Sequence, residues 1–243
     1  MSPLFSIIIP TYNRAKLLEV AIKSVIEQTC DDWELIIVDD GSTDETKAFL
    51  DSIKEEKIYT YFQLKKERSA ARNFGIEKAK GIYICFLDDD DYFLPNHLAA
   101  FEKLITKENF PIGIFRTGMI TKDGKQETPS PFFDSNISSH PIPFFLKNMV
   151  GIHTLCYHRE ILDSHRYDER WLHFQDTHLL VLCLLKFPFF QINQLTAIYV
   201  RHEGMGSLSI FKSENAKART ENNIAAIRDL FEQGGEELLK YVP

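Results

Sequence analysis

Apolar residues along the first ninety positions alternate between two periods. Phe5 to Ile9 is a short continuous apolar run closed by Pro10, as expected of a strand buried on both faces. Leu17, Leu18, Ala21, Ile22, Val25 and Ile26 then recur at helical spacing and predict a helix over 14–28. Glu34 to Val38 predicts a second strand. Asp39-Asp40-Gly41-Ser42 is a turn, after which Ser42 or Thr43 can cap a helix carrying Phe49, Leu50 and Ile53. A weaker strand over 58–64 precedes a helix over 69–80 that Gly81 stops. Ile82 to Leu87 is again an apolar run of strand length. Repeated strand–helix–strand units imply a largely parallel sheet with right-handed crossovers.

The pattern loosens after residue 91. Tyr92-Phe93-Leu94-Pro95 predicts a helix start, with Pro95 in the first turn and the helix running through Leu104. Residues 112–121 form a strand pattern, and Asp123-Gly124 a hairpin turn. Pro129, Pro131, Pro141 and Pro143 make 128–145 a loop able to move, in which Phe132, Phe133, Phe144 and Phe145 either cover a ligand or join the core. Strands are expected over 151–158 and 192–200, and an apolar helix over 176–186. Ile224, Ile227, Leu230 and Phe231 predict a docked helix in the tail that follows Ser213.

Composition narrows the class. The chain has 243 residues, enough for one large domain, with 44% hydrophobic and 26% charged residues, as in ordinary globular proteins. The formal charge of -7 disfavours a nucleic-acid partner, which needs clustered positive charge. No apolar stretch is long enough to span a bilayer, and Met1 to Phe5 lacks the basic start of a signal peptide. Cys30, Cys85, Cys156 and Cys183 are scattered, which fits reduced, buried thiols in a cytoplasmic protein.

Chemistry concentrates where the apolar run 82–87 meets four consecutive aspartates, Asp88 to Asp91. Adjacent carboxylates repel and lose solvation, and a hard divalent cation such as Mg²⁺ or Mn²⁺ offsets that cost with oxygen ligands. An acidic tetrad by itself is more often a solvated loop. The strand before it favours a site, because open α/β sheets bind ligands beyond the carboxyl ends of their strands.

Four segments resemble the family 2 glycosyltransferases, inverting nucleotide-sugar enzymes. They are Ser6-Ile7-Ile8-Ile9-Pro10-Thr11-Tyr12-Asn13-Arg14, then Ile37-Val38-Asp39-Asp40-Gly41-Ser42-Thr43-Asp44. The third is Ser69-Ala70-Ala71-Arg72-Asn73 with Gly75 and Gly81, leading to Phe86-Leu87 and the tetrad. The fourth is Phe174-Gln175-Asp176-Thr177. The resemblance extends from Phe5 to about Ser209. It implies an α/β chain of GT-A type, the nucleotide-diphospho-sugar transferase fold, with a mostly parallel mixed sheet flanked by helices. It further implies a nucleotide-sugar-binding half over 1–91, an acceptor-binding and catalytic half of the same domain over 92–210, and a helical tail over 211–243.

The resemblance also distributes roles. Pro10, Thr11, Tyr12, Asp40, Arg72, Asp88 and Asp89 are expected at the nucleotide-sugar, and Asp88, Asp90 and His202 at a Mn or Mg ion. Tyr12 lies against the base or packs as a half-buried tyrosine. Asp40 accepts from a base N–H, which favours uracil, or holds the turn. Arg72 meets the diphosphate or pairs with an aspartate. Asp89 touches the ribose or the metal shell, and Asp91 caps the next helix. Arg201 stands beside His202 as a second candidate, and either one could be a plain surface residue. Asp176 is the candidate base or a helix N-cap. The family usually carries Glu before this Asp, and here Gln175 stands there, which removes one source of upward pKa shift. These readings together predict a cytoplasmic, metal-dependent glycosyltransferase. It would move a sugar from a UDP-sugar to a glycan or lipid-linked glycan, with peripheral contact at the inner face of a membrane. A catalytically weak nucleotide-sugar-binding relative and an aspartate-nucleophile phosphohydrolase are the alternatives.

Overall fold

The computed structural model describes residues 2–136, 139–148, 150–202 and 216–241. The first half follows the apolar pattern closely. Strands β1 (Phe5–Thr11), β2 (Trp33–Asp39), β3 (Ile58–Phe62) and β4 (Tyr83–Phe86) alternate with helices α1 (Ala15–Ile26), α2 (Thr46–Ser52) and α3 (Arg68–Lys78). All four strands are parallel, in the order β3-β2-β1-β4. Every residue of β1 and β2 is buried, which explains their unbroken apolar character.

Alternate side chains of β1 enter two cores. Phe5, Ile7 and Ile9 face α1, and Ile8 faces α3 and the later helices. Gly75 lets α3 lie against β1, since a Cβ there would sit 2.4 Å from Ile8 Cγ2.

The second half closes the sheet with mixed pairing. Its strands are β5 (Tyr92–Phe93), β6 (Ile114–Asp123), β7 (Gln126–Pro129), β8 (Leu155–His158) and β9 (Phe189–Arg201). Among the described residues the path continues β4-β8-β6-β9-β5, with β7 hairpinned onto β6. Strand β8 runs antiparallel to both neighbours, β5 runs antiparallel to β9, and β6 and β9 are parallel. Helices α4 (His97–Lys107), α5 (Ile142–Lys147), α6 (Arg159–Ser164), α7 (Gln175–Leu184) and α8 (Ala216–Leu239) complete the fold. The tail positions Ile224, Ile227, Leu230 and Phe231 lie in α8, with Leu230 fully buried.

Three expectations change. Tyr92 and Phe93 do not start a helix. They pair with Ile198 and Ala197 of β9, and α4 begins only after Asn96. The segment 151–158 starts as a 3-10 turn over Ile152–Thr154, where Thr154 Oγ1 donates to the Gly151 carbonyl at 2.6 Å, and becomes strand only at Leu155. Part of the proline-rich stretch is ordered as β7 and α5, while residues 137–138 lie outside the described part. No helix among the described residues is long and apolar enough to cross a membrane.

Candidate active site

Parallel pairing puts the carboxyl ends of β1, β2 and β4 on one rim. Chain order reverses between β1 and β4, so a crevice opens where the two neighbouring loops diverge. Thr11 Oγ1 donates across this switch point to Asp89 Oδ2 at 2.8 Å. A cleft of about 550 Å³ lies above it, lined by Pro10, Thr11, Tyr12 and Asp40 on one side and by Gln175 and Asp176 on the other. Asp88, Asp89 and Asp90 form its floor.

Each aspartate of the tetrad faces a basic side chain, with Arg14 shared by Asp89 and Asp90. Arg72, fully buried on α3, donates to Asp88 Oδ1 at 2.5 Å and to Asp176 Oδ1 at 2.8 Å. Arg14 Nη1 donates to Asp89 Oδ1 at 2.9 Å and Asp90 Oδ2 at 2.7 Å. His153 Nδ1 lies 3.1 Å from Asp91 Oδ2, with both groups buried. The protein therefore supplies cations of its own to a cluster whose charge had pointed to a metal. Asp91 is no helix cap: its Oδ1 accepts from the Val200 N–H at 2.9 Å and ties the tetrad to β9.

The environments set the four carboxyls apart. Burial works against ionising Asp88, but Arg72, with Arg68 and His153, holds it below the usual carboxylate range. Burial lifts Asp89 to about 6 despite Arg14. Burial also lifts Asp91. Asp88, Asp90 and Asp91 can each offer an oxygen within 4.8 Å of the others, a hard donor set that fits Mg²⁺ or Mn²⁺. His202 Nε2 is 3.4 Å from the Asp90 carbonyl oxygen, beside this group. Arg201 instead reaches Asp123 on the hairpin at 3.2 Å, and Glu203 and Gly204 fall outside the described residues.

Tyr12 is half-buried at the cleft, with Lys65 Nζ 3.5 Å above its ring. Asp40 is buried and pins the loop before α3. Its Oδ1 accepts from Gln63 Nε2 at 2.7 Å and the Lys66 N–H at 2.9 Å, and its Oδ2 from the Glu67 N–H at 2.9 Å. The turn role belongs to its neighbour, because Asp39 Oδ1 accepts from the Ser42 N–H at 2.9 Å. Gly41, at φ 84°, makes room: a Cβ there would meet the Lys65 nitrogen at 2.9 Å. Arg72 does not line the cleft. It stands behind the wall, where it holds two carboxylates in place.

Asp176 lies in the first turn of α7 and faces the cleft, half-buried. The N-cap is Phe174, in the left-handed region at φ 65°, so capping is not the role of Asp176. Burial raises the Asp176 carboxyl; Arg72 opposes this and Asp88 adds to it. A half-buried carboxylate with raised basicity is suited to taking a proton from a hydroxyl. Gln175 is buried beside it, with its Oε1 unpartnered among the described groups.

Sequence reasoning missed several groups. Arg14, Lys65, Glu67 and Arg68 line the cleft, as do Leu172 and Asn223. Arg14 lay inside a quoted motif just past the first strand, and that placement was the available signal. His153 gave none, because only folding brings it to Asp91. The phenylalanines of the proline-rich stretch do not line the cleft. Phe133, Phe144, Phe145 and Phe189 pack ring against ring.

Comparison with known proteins agrees with this geometry. The family profile described as Glycosyl transferase family 2 matches residues 6–162. An uncharacterized glycosyltransferase of Rickettsia felis is 37% identical over 156 residues, 62% of this chain and 26% of that protein. The chain thus spans about a quarter of the length of the first curated relatives it matches. A GalNAc(5)-diNAcBac-PP-undecaprenol beta-1,3-glucosyltransferase of Campylobacter jejuni is 30% identical over 221 residues, 88% of this chain and 70% of that one. The structure of S. aureus TarS 1-349 in complex with UDP-GlcNAc superposes with a TM-score of 0.75 at 20% identity, covering 99% of this chain and 69% of TarS. The fold is the GT-A-like α/β sheet flanked by helices.

Proposed function

The chain belongs to glycosyl transferase family 2, and from that premise we propose that it is a metal-dependent, inverting transferase that moves a sugar from a UDP-sugar to a glycan or lipid-linked glycan hydroxyl. The observation that carries this reading is the pairing of two carboxylate sites in one cleft. Asp88 at the tetrad and Asp176 opposite are held by the same buried guanidinium.

The chemistry follows from that spacing of roles. Tyr12 and Asp40 would hold the base, and Pro10, Thr11 and Asp89 the rest of the nucleoside. Asp88 and Asp90, with His202 beside them, would hold Mn²⁺ or Mg²⁺. A bound cation offsets the negative charge that grows on a departing diphosphate. Asp176 would take the proton of the acceptor hydroxyl as it attacks from the face opposite the leaving group, which inverts the anomeric carbon. The UDP-GlcNAc held by TarS and the lipid-linked substrate in the name of the Campylobacter relative support the choice of donor and acceptor classes. We place the activity in the cytoplasm, with peripheral contact at the inner face of a membrane. Donor-side residues fall in 1–91 and the proposed base in 92–210, which suits one domain with two functional halves and a helical tail over 211–243.

A thermal-shift panel tests this reading. UDP and UDP-sugars with Mn²⁺ should raise the unfolding temperature more than ADP or CDP, and Mn²⁺ should be required. Slow UDP-sugar hydrolysis with Mn²⁺ is the second expected result, and a catalytically weak relative would lack it. Equal protection by all nucleotides would defeat the donor assignment.

A further inference from the structure

Among the described residues three basic side chains face the tetrad, and they differ in one respect. Arg72 and His153 are buried, whereas the Arg14 side chain is 28% exposed and lies on the cleft wall. Arg14 is delivered there by a constrained turn. Asn13 sits in the left-handed region at φ 54°. Its N–H donates to Ser42 Oγ at 2.9 Å, and its Oδ1 accepts from the Thr43 N–H at 2.7 Å. The Arg14 N–H donates to Thr46 Oγ1 at 3.2 Å. These bonds hold the backbone, and among the described residues the partly exposed guanidinium is held only by Asp89 and Asp90. Its Nη1 pairs with one carboxylate oxygen of Asp90, a member of the group that could hold a cation at the tetrad.

Resting on the metal-dependent reading above, we propose that Arg14 is a resident counter-charge that competes with the divalent cation for Asp90. It makes cation loading depend on the nucleotide. Without a donor, the guanidinium and the cation exclude each other at one carboxylate. A nucleoside diphosphate entering the cleft offers Arg14 a second anion, frees Asp90 and admits the cation. By linkage, Mn²⁺ and nucleotide then strengthen each other's binding. Arg14 is thus a positioning residue that sets the order of assembly, and no covalent step is assigned to it.

The test is Mn²⁺ binding to the whole protein, followed by the paramagnetic resonance of free Mn²⁺ with and without UDP. It compares wild type, Arg14→Met and Arg14→Lys. Arg14→Met keeps the stem and removes the charge. Without UDP it should bind Mn²⁺ about tenfold more tightly than wild type, and UDP should enhance that binding by a correspondingly smaller factor. Arg14→Lys retains a competing charge and should stay near wild type, which separates competition from a general disturbance of the turn. Unchanged or weaker Mn²⁺ binding by Arg14→Met would overturn the inference while leaving the metal reading intact. Absence of Mn²⁺ binding in all three proteins, even with UDP, would overturn both.

Discussion

The two ends of the cleft are built differently. The end proposed for the donor is a rim of parallel strand ends, where Thr11 closes β1, Asp40 follows β2 and the tetrad begins just past β4. The end proposed for the acceptor rests on Asp176, whose guanidinium partner is 104 residues away in sequence. Asp168 and Asp229 meet Arg170 nearby, so the loop before α7 is fastened to α8. One end inherits its geometry from the sheet, and the other depends on long-range ion pairs. The donor end should therefore fail locally when a ligand residue is lost, and the acceptor end should fail when its tethers are cut.

Asp90→Ala gives the largest expected effect on the donor side. Cation-dependent UDP binding should disappear while the fold survives, because removing one carboxylate also relieves repulsion in the tetrad. Calorimetry that finds UDP binding with unchanged Mn²⁺ dependence would remove Asp90 from the metal site.

Arg72→Met cuts the link between the two ends. It leaves Asp88 and Asp176 without their shared cation, and loss of a buried ionic partner costs about 3 kcal/mol. Chemical denaturation should show that loss. A change near zero would mean that water already screens the pair.

Acid sensitivity should come from the second half. His97 is buried, stacked on Phe93, with Nδ1 2.8 Å from Thr196 Oγ1. Burial lowers its pKa from 6.5 to about 3. The unfolded chain therefore takes up this proton first as pH falls. The stability is present above pH 6.5 and declines below it by about 1.4 kcal/mol per pH unit from this group alone. His97→Gln should make the acid limb shallower by about one proton, and an unchanged slope would show that His97 is protonated in the fold.

Asp40→Asn should have the smallest effect. An amide presents donors where the loop, and on the proposed reading the base, need an acceptor. Uridine nucleotides should lose their advantage over cytidine nucleotides by a factor of about five, the worth of one hydrogen bond. A preserved preference would locate base selection elsewhere.

The same contrast explains what the sequence discloses. The donor end is legible because its chemistry adjoins the strands that carry it, as Asp88 adjoins Phe86-Leu87. Tyr92-Phe93 misled because an apolar run before Pro resembles a helix start, and its β9 partners lie about a hundred residues on. The apolar helix carrying Asp176 was visible, but its shared cation was not. Arg72 precedes Asp176 by 104 residues, with three helices and five strands between α3 and α7 among the described residues, and no spacing rule connects them. His153 and Asp91 repeat the lesson, since a buried pair assembled by tertiary contact leaves no local pattern.

The division of labour between the two ends is tested most directly by Asp176→Asn, with UDP-sugar affinity and turnover measured on the same protein and hydrolysis as the readout when water replaces the acceptor. The substitution keeps shape and removes the proton acceptor. Affinity should be retained while turnover falls by about two orders of magnitude or more. Near-wild-type turnover would contradict the assignment of Asp176 as base and direct the search to Glu169 or Asp168 upstream.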